Sequence, residues 1–106
     1  MQLAKREAAI VVLKGKNTIT TDGVQVIINP TGNQGMATAG SGDALTGVIA
    51  SLLAQGASTM MAAACGAYVH GLAGDIAVKA TGDRGMVASD IVKALPEAFK
   101  TVTSET

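Results

Sequence analysis

The sequence predicts a partial α/β domain in the order strand, hairpin, loop and three helices. Residues 8–13 form a continuous apolar run rich in β-branched side chains, which is typical of a strand buried on both faces, as in a parallel sheet. Two further short strands, at 17–20 and 24–28, flank the segment Thr21-Asp22-Gly23, where Asp-Gly favours a hairpin turn. One buried strand and a hairpin are too little sheet to cover three helices, so we expect the chain to be the C-terminal side of a larger α/β domain.

A glycine-rich loop and an amphipathic helix follow the hairpin. The loop spans 29–42 and reads NPTGNQGMATAGSG, a composition that indicates special backbone demands and not a regular element. Directly after it, apolar residues recur at helical spacing and predict a helix over 43–55 that ends at Gly56; they are Leu45, Val48, Ile49, Leu52 and Leu53.

Two more helices complete the predicted order. The second begins at Ser58, a suitable N-cap, and runs through an alanine-rich segment toward Lys79. The third begins at Ser89 and Asp90, where Asp90 most simply caps the helix. Pro96 falls inside the apolar pattern of this third helix and should kink or interrupt it.

Composition narrows the class of protein. A chain of 106 residues has room for one domain, and 48% hydrophobic residues suffice to build its core. Eight basic residues balance eight acidic ones without a basic stripe, which argues against a nucleic-acid partner. The single cysteine, Cys65, excludes an intrachain disulfide and is expected to be a buried structural thiol. No secretory signal is found and no stretch approaches the roughly 20 apolar residues of a membrane helix, so we expect a cytoplasmic, soluble protein with no membrane partner.

The segment Ala39-Gly40-Ser41-Gly42-Asp43 lies directly before the first predicted helix. A helix start carries unpaired backbone N–H groups and a partial positive charge, and glycines there let the backbone close on an anion, which favours a phosphate site. Asp43 has two interpretations. It is either an N-cap that accepts from the first-turn N–H groups, or a side chain that projects toward a bound phosphate and acts on a substrate hydroxyl. The short motif alone leaves both open.

A second polar cluster, Lys14-Gly15-Lys16-Asn17-Thr18, follows the first strand. It lies at the carboxyl end of that strand, where ligands of open α/β sheets gather, so Lys14 is a candidate phosphate contact and Thr18 offers a hydroxyl. The alternative is a solvated strand end with two lysines. The P-loop pattern GxxxxGK[ST] is absent, and GxGxxG is missing where a dinucleotide fold requires it, which disfavours a P-loop ATPase or a standard dinucleotide-binding domain.

Four stretches of the chain resemble the ADP/ATP-dependent NAD(P)H-hydrate dehydratases, which are members of the ribokinase-like superfamily. In chain order they read VVLKGKNTIT, NPTGNQGMATAGSGDALTGVIASLLAQG, AAACGAYVHGLAGDIA and GMVASDIVKALP. The resemblance covers nearly the whole chain, from Ile10 to Pro96, and its long central block is highly specific. It implies a ribokinase-like, Rossmann-like α/β/α partial domain, with residues 1–106 forming the C-terminal part of a dehydratase domain of the carbohydrate-kinase type.

The resemblance also assigns the site residues. The first nucleotide segment looks like the family's KGxxT segment: Lys14, Gly15, Lys16, Asn17 and Thr18. The second is similar to the loop that wraps the nucleotide phosphates: Asn33, Gln34, Gly35, Met36, Ala37, Thr38, Ala39, Gly40, Ser41 and Gly42. The last three residues of that loop form the implied anion hole. Asp43 matches the family aspartate that touches the hydrated nicotinamide substrate, and it is the implied catalytic residue.

The reaction that the resemblance implies is the nucleotide-driven dehydration of the 6-hydroxy form of NADH or NADPH. Phosphorylation turns the hydroxyl into a good leaving group, and elimination then restores the dihydronicotinamide ring. Asp43 takes the hydroxyl proton as general base, and the amides at 40–42 stabilise the transferring phosphoryl group. The implied cofactors are ADP or ATP with Mg²⁺, and the implied assembly is a homo-oligomer.

Two other functions remain open at this point. One is another ribokinase-like small-molecule kinase, such as a kinase for hydroxyethylthiazole or a pyrimidine vitamin precursor. The other is an inactive truncated fragment that binds nucleotide or associates with itself, because the family's aspartate-rich strand motif and its PHxGE-type loop have no counterpart in these residues. Without those substrate-side segments, activity of the chain alone is doubtful.

Three further residues carry expectations of their own. His70 is the only histidine and is predicted to be a helix histidine that is hydrogen-bonded at an interface, since no metal-ligand partner lies at suitable spacing. Asp75 is predicted to cap or pair locally. Met36 is predicted to be a core filler or a loop-packing residue, with the adenine ring as a neighbour if nucleotide binds.

Overall fold

The computed structural model of this protein describes residues 11–13, 19–22, 25–36, 40–82 and 84–105. Three short strands within these residues form one antiparallel sheet in the order β1-β2-β3, where β1 is Val11–Leu13, β2 is Ile19–Thr21 and β3 is Val26–Ile28. The central Thr20 pairs with Val12 on one side and with Ile27 on the other. Helices follow the strands, so the predicted element order of a partial α/β domain is confirmed.

The predicted hairpin is confirmed between β2 and β3. Its turn is fixed by two short hydrogen bonds: Gln25 N–H donates to Asp22 Oδ1 at 2.7 Å, and Thr21 Oγ1 donates to the Gln25 carbonyl at 2.7 Å. The parallel pairing expected for the first strand is not what the described residues show, because β1 pairs antiparallel with β2. Only residues 14–18 separate the two strands, whereas a parallel crossover needs about a dozen residues or more.

Three α-helices follow a single 3₁₀ turn at Gln34–Met36: α1 is Ser41–Ala54, α2 is Thr59–Thr81 and α3 is Ala88–Glu105. Helix α1 begins two residues before the predicted start at Asp43, because Gly40 turns the chain into the helix. Helix α2 begins after its predicted N-cap, Ser58, and ends two residues beyond the predicted Lys79, at the turn formed by Gly82.

Helix α3 is continuous through Pro96, so the expected interruption does not occur. Proline removes the N–H that would pair with the carbonyl four residues earlier, which belongs to Val92. Both residues are exposed, and the Val92 side chain is 49% accessible. Water can therefore hydrogen-bond to that carbonyl, and the helix tolerates the proline on this face.

The core is built from α2 with the other two helices packed on it. The buried positions of α2 are almost all small: Ala62, Ala63, Gly66, Ala67, Val69, His70, Gly71, Ala73, Gly74 and Ala77. Facing them are Met86, before α3, and Ile91, Ala94 and Ala98 of that helix. Small side chains let helices and loops approach α2 closely, so this helix serves as the surface on which the rest of the chain is placed.

Two sequence expectations about α2 need correction. Cys65 was predicted to be buried, but it is a free cysteine that is only partly buried. The sequence was also expected to contain no stretch of membrane-spanning length, whereas α2 has 23 residues and is long and apolar enough to pass that test. More than half of its most apolar 18-residue window is buried inside the domain, and its Asp75 and His70 bond to the preceding loop, so it has the properties of a core helix.

The caps of α2 and α3 are made by side chains. Ser58 Oγ accepts from Met61 N–H at 3.3 Å, and Asp90 Oδ2 accepts from Val87 N–H at 2.9 Å. The predicted capping roles of Ser58 and Asp90 are thus both supported. Asp90 is the third residue of its helix, and its side chain accepts from Val87, the residue that precedes the helix.

Replacing Ser58 with Ala should lower the free energy of unfolding by about 1 kcal/mol, because a first-turn N–H of α2 loses its acceptor. Urea unfolding followed by circular dichroism measures the change. Ser89→Ala is the matched control: Ser89 is an exposed serine in the first turn of α3, and its replacement should change stability by less than about 0.5 kcal/mol. Equal losses in the two variants would contradict the capping role of Ser58.

Candidate functional site

The candidate site is the start of α1, where the glycine-rich loop enters the helix. Gly40 is the N-cap and has a left-handed backbone, with φ at +87°. A Cβ at this position would lie 3.1 Å from Ala88 Cβ at the start of α3. Both the backbone angle and the close neighbour therefore favour glycine, and they set the direction from which the chain approaches α1.

Among the described residues, no side chain caps the first turn of α1. Its first helical hydrogen bond runs from Ala44 N–H to the Gly40 carbonyl at 3.1 Å, so the N–H groups of Ser41, Gly42 and Asp43 precede the helical ladder. The other two helices differ here, since Ser58 and Asp90 supply side-chain acceptors. The start of α1 thus presents N–H donors and the positive end of the helix dipole, an arrangement that suits an anion such as a phosphate.

Asp43 is the third residue of α1 and is exposed. It is not the N-cap, so the capping interpretation is wrong: Gly40 occupies that position because the helix begins two residues earlier than the sequence pattern indicated. No hydrogen bond joins the Asp43 carboxylate to another residue in the described part of the chain. The exposed carboxylate lies in the same turn as the N–H donors.

Ser41 faces inward. Its side chain is 3% exposed, and His70 Nε2 of α2 lies 3.0 Å from the Ser41 carbonyl oxygen and 3.4 Å from Ser41 Oγ. His70 is itself 6% exposed. The predicted hydrogen-bonded helix histidine is therefore confirmed, and it fixes the start of α1 to α2. At Ser41 the group directed toward an anion is the backbone N–H, since the hydroxyl lies on the His70 side.

The loop that leads to the site runs along α2. Asn29 is buried and its Nδ2 donates to the Ala67 carbonyl at 2.9 Å. Thr31 Oγ1 donates to the Tyr68 carbonyl at 2.9 Å and lies at the same distance from Asn29 Oδ1. These bonds connect residues 37 or 38 positions apart, so they tie the end of β3 to the middle of α2.

Two glycines of α2 let the loop lie against the helix backbone. A Cβ at Gly71 would collide with Thr31 Oγ1 and would lie 2.8 Å from the Thr31 carbonyl carbon. A Cβ at Gly74 would collide with the Met36 thioether. Met36 thus packs into the space over Gly74, which confirms its predicted role as a packing residue and makes the 3₁₀ turn part of the contact with α2.

Asp75 is the residue whose role the sequence interpretation missed. It was expected to cap or pair locally, but Oδ2 accepts from Gly32 N–H at 3.0 Å and Oδ1 accepts from Asn33 Nδ2 at 2.9 Å, across more than 40 residues. Asn33 Oδ1 in turn accepts from Gly35 N–H at 3.0 Å. The available signal was a lone carboxylate one residue after Gly74 in a long apolar helix, where a partly buried charge requires partners from elsewhere.

The structure describes part of the predicted nucleotide segment 33–42 and none of the predicted segment 14–18. Asn33, Gly35, Met36 and residues 40–43 are described, as is the backbone of Gln34. Outside the described residues lie Lys14, Gly15, Lys16, Asn17, Thr18, Ala37, Thr38 and Ala39. In the part of the chain that is described, no three His, Cys, Asp or Glu side chains group closely enough to hold a metal ion.

Comparison with known proteins gives a consistent family. A family model described as NAD(P)H-hydrate dehydratase matches residues 1–97. The bifunctional NAD(P)H-hydrate repair enzyme Nnr of Moorella thermoacetica is 51% identical over 104 residues, which are 96% of this chain and 19% of that protein. The ADP-dependent (S)-NAD(P)H-hydrate dehydratase of Neisseria meningitidis is 46% identical over 88 residues, which are 81% of this chain and 30% of that protein.

Solved structures agree on the fold. The ADP/ATP-dependent NAD(P)H-hydrate dehydratase of Bacillus subtilis, co-crystallised with ATP and Mg²⁺, superposes with a TM-score of 0.84 at 28% identity over 94% of this chain. A ribokinase-like superfamily protein from Enterococcus faecalis superposes with a TM-score of 0.80 at 36% identity. The predicted ribokinase-like fold is confirmed. The chain spans 38% of the Bacillus subtilis protein and about a fifth of the Moorella thermoacetica protein.

Proposed function

Since this chain belongs to the NAD(P)H-hydrate dehydratase family, we propose that it forms the nucleotide-phosphate side of an enzyme that dehydrates hydrated NADH or NADPH and so restores NADH or NADPH. The observation that carries this proposal is the start of α1, where first-turn N–H groups without a side-chain cap lie beside the exposed carboxylate of Asp43. One helix turn thus holds both an anion site and a proton acceptor.

The phosphates of ADP or ATP bind at this helix start in the proposed arrangement. Backbone donors of a helix N-terminus stabilise the charge that spreads over a transferring phosphoryl group, and they need no side-chain movement to do so. The loop 33–42 would lie along the nucleotide, and the segment 14–18 would supply Lys14 as a further phosphate contact. The Neisseria meningitidis relative is named as ADP-dependent, and the Bacillus subtilis relative was co-crystallised with ATP and Mg²⁺, which supports this proposal.

Asp43 is the proposed general base. It takes the proton of the hydroxyl on the hydrated nicotinamide ring while the oxygen attacks the terminal phosphorus of the nucleotide, and the bond between that phosphorus and the nucleotide oxygen breaks. Phosphate then leaves from the ring carbon with the oxygen, and loss of a proton from the adjacent carbon forms the ring double bond. A hydroxyl is a poor leaving group and a phosphate is a good one, so the reaction consumes a nucleotide as the phosphoryl donor.

Magnesium has no preformed cage in the described residues. This ion usually keeps several waters and binds through one or two carboxylates together with substrate phosphates. It would therefore reach this chain with the nucleotide, and we assign no residue of the described part as its ligand.

The share of its relatives that the chain covers supports a partial domain. The chain spans 38% of the Bacillus subtilis structure, and we propose that it corresponds to the C-terminal part of a carbohydrate-kinase-like dehydratase domain. The nicotinamide side of the site would then come from other segments or from another copy in a homo-oligomer. A cytoplasmic location, where the reduced cofactors are used and free Cys65 is stable, belongs to the same proposal.

A second candidate is a nucleotide-binding or self-associating fragment without activity. One observation favours it: β3 is an edge strand of the described sheet, and its Val26, Ile27 and Ile28 side chains are 50%, 41% and 62% exposed. An apolar edge of this kind is a surface for association. The family match favours the dehydratase activity over that of a vitamin-precursor kinase.

Thermal unfolding with and without Mg-ADP tests the proposal. If ADP binds only the folded chain, a concentration of 100 times the Kd should stabilise it by about 2.7 kcal/mol, seen as a higher Tm. Gly40→Ala should reduce this shift, because a side chain at φ +87° and 3.1 Å from Ala88 Cβ displaces the helix start. A Tm that ADP does not move would contradict the phosphate site.

Gly56→Ala is the matched control for that variant. Gly56 follows the other end of α1 and also has a positive φ, +98°, but no atom of the described residues lies within 4 Å of an added Cβ. Both substitutions should cost roughly 1–2 kcal/mol of stability from backbone strain. Only Gly40→Ala should also weaken the ADP response, so an equal loss of response in the two variants would locate the nucleotide elsewhere.

A further inference from the structure

Helix α2 contacts the loop 32–41 near the beginning and near the end of that loop. Asp75 accepts two hydrogen bonds from Gly32 and Asn33 at the beginning of the loop. His70 lies five residues earlier on the same helix and contacts Ser41 at the other end. Between these points the Met36 side chain packs over Gly74. The spacing of the loop ends is therefore set by a short, rigid stretch of α2.

The Asp75 contacts differ in kind from the packing contacts. Each carboxylate oxygen accepts one hydrogen bond from the loop, and hydrogen bonds to a charged group are stronger than those between neutral groups. Asn33 links Asp75 to the 3₁₀ turn, because its Nδ2 donates to Asp75 and its Oδ1 accepts from Gly35 N–H. Among the described residues, both hydrogen bonds that Asp75 accepts come from the loop.

We propose that Asp75 is a positioning residue for the nucleotide loop, one that fixes Gly32–Gly35 relative to the anion site at the start of α1. It touches neither the phosphate nor the reacting atoms and acts through Asn33. This inference rests on the proposed function, since it concerns the loop along which the nucleotide would lie. A loop held in its bound shape before binding loses less entropy on binding, so affinity depends on the anchor.

An exchange of the two side chains provides the test. Asp75→Asn removes one acceptor that Asn33 Nδ2 needs, and Asn33→Asp places two carboxylates against each other. The double variant Asn33→Asp/Asp75→Asn reverses the direction of that bond. Asn at 75 then donates to Asp at 33 and still accepts from Gly32 N–H, and Asp at 33 still accepts from Gly35 N–H. All three hydrogen bonds of the anchor can re-form.

The measurements are the Kd for Mg-ADP by calorimetry and the Tm without ligand, on the 106-residue chain. Each single variant should raise the Kd about tenfold or more, and the exchanged pair should recover most of that loss. Thr81→Val is the matched control: Thr81 is a half-buried residue of α2 that bonds to Ala77 and Gly82 and not to the loop, so its replacement should leave the Kd unchanged.

The outcomes separate this inference from the proposed function. If the wild-type chain binds no ADP, the phosphate site fails and this inference fails with it. If the wild type binds and Asp75→Asn lowers only the Tm, or if the exchanged pair binds no better than Asp75→Asn, the positioning role alone is overturned. Asn33→Ala removes the side chain through which Asp75 acts, so it serves if Asp75→Asn does not fold; wild-type affinity in that variant would also overturn the inference.

Discussion

Asp43→Asn is expected to lower the rate of nucleotide-dependent dehydration by about 10²–10⁴-fold, the usual contribution of a general base. The amide has nearly the same shape as the carboxylate but cannot accept the hydroxyl proton. Nucleotide binding should survive, because the donors at the start of α1 are backbone groups. Stability should change by less than about 1 kcal/mol, since Asp43 is exposed and contributes mainly through its interaction with the helix dipole.

The rate is measured from the absorbance of the restored dihydronicotinamide. Two preparations are compared: the 106-residue chain, and a chimera in which it replaces the matching 38% of the Bacillus subtilis dehydratase. An active chimera beside an inactive chain would show that the substrate side comes from other segments. Asp90→Asn is the control, because Asp90 is likewise the third residue of a helix; it should affect stability and not the rate. A chimera that keeps its rate with Asn at position 43 would exclude Asp43 as the base.

Gly71→Ala is expected to destabilise the chain by about 3 kcal/mol, the upper end for overpacking, because the new methyl group meets backbone and not only a flexible side chain. The added Cβ would collide with Thr31 Oγ1 and lie 2.8 Å from the Thr31 carbonyl carbon. The loop would have to move off α2, and the bond from Thr31 to the Tyr68 carbonyl would be lost. A domain of this size has a small free energy of unfolding, so a loss of this magnitude is a large fraction of it.

Gly47→Ala is the matched control and should have the opposite sign. Gly47 lies within α1 and is exposed, and in the part of the chain that the structure describes no atom lies within 4 Å of an added Cβ. Alanine there should stabilise the chain by roughly 0.5–1 kcal/mol through helix propensity alone. Chemical unfolding of both variants measures the difference. If Gly71→Ala were also stabilising, the close contact between the loop and α2 would be refuted.

Much of the fold was predictable because it depends on local patterns. Apolar spacing located α1 and α3, the alanine-rich segment after Ser58 located α2, and Asp22-Gly23 located the hairpin. The errors concerned where a helix begins and in which direction two strands pair. Helix α1 starts at Ser41 because Gly40 supplies the turn, and β1 runs antiparallel to β2 because the connection between them is short. Periodicity reports on neither feature, since it shows which face is buried and not where a chain reverses.

The candidate site likewise has features that the sequence predicted and features that only the structure revealed. The sequence by itself determined the family, the glycine-rich entry to α1 and the position of Asp43 beside it, because these are carried by contiguous residues. Only the tertiary structure decided that the Ser41 hydroxyl faces His70 and that Asp75 holds Gly32 and Asn33. Those contacts join residues 29 to 43 positions apart, and they exist because Gly71 and Gly74 let the loop pack against the backbone of α2. A hydrogen bond between distant segments depends on how closely they pack, and close packing is a property of the assembled chain.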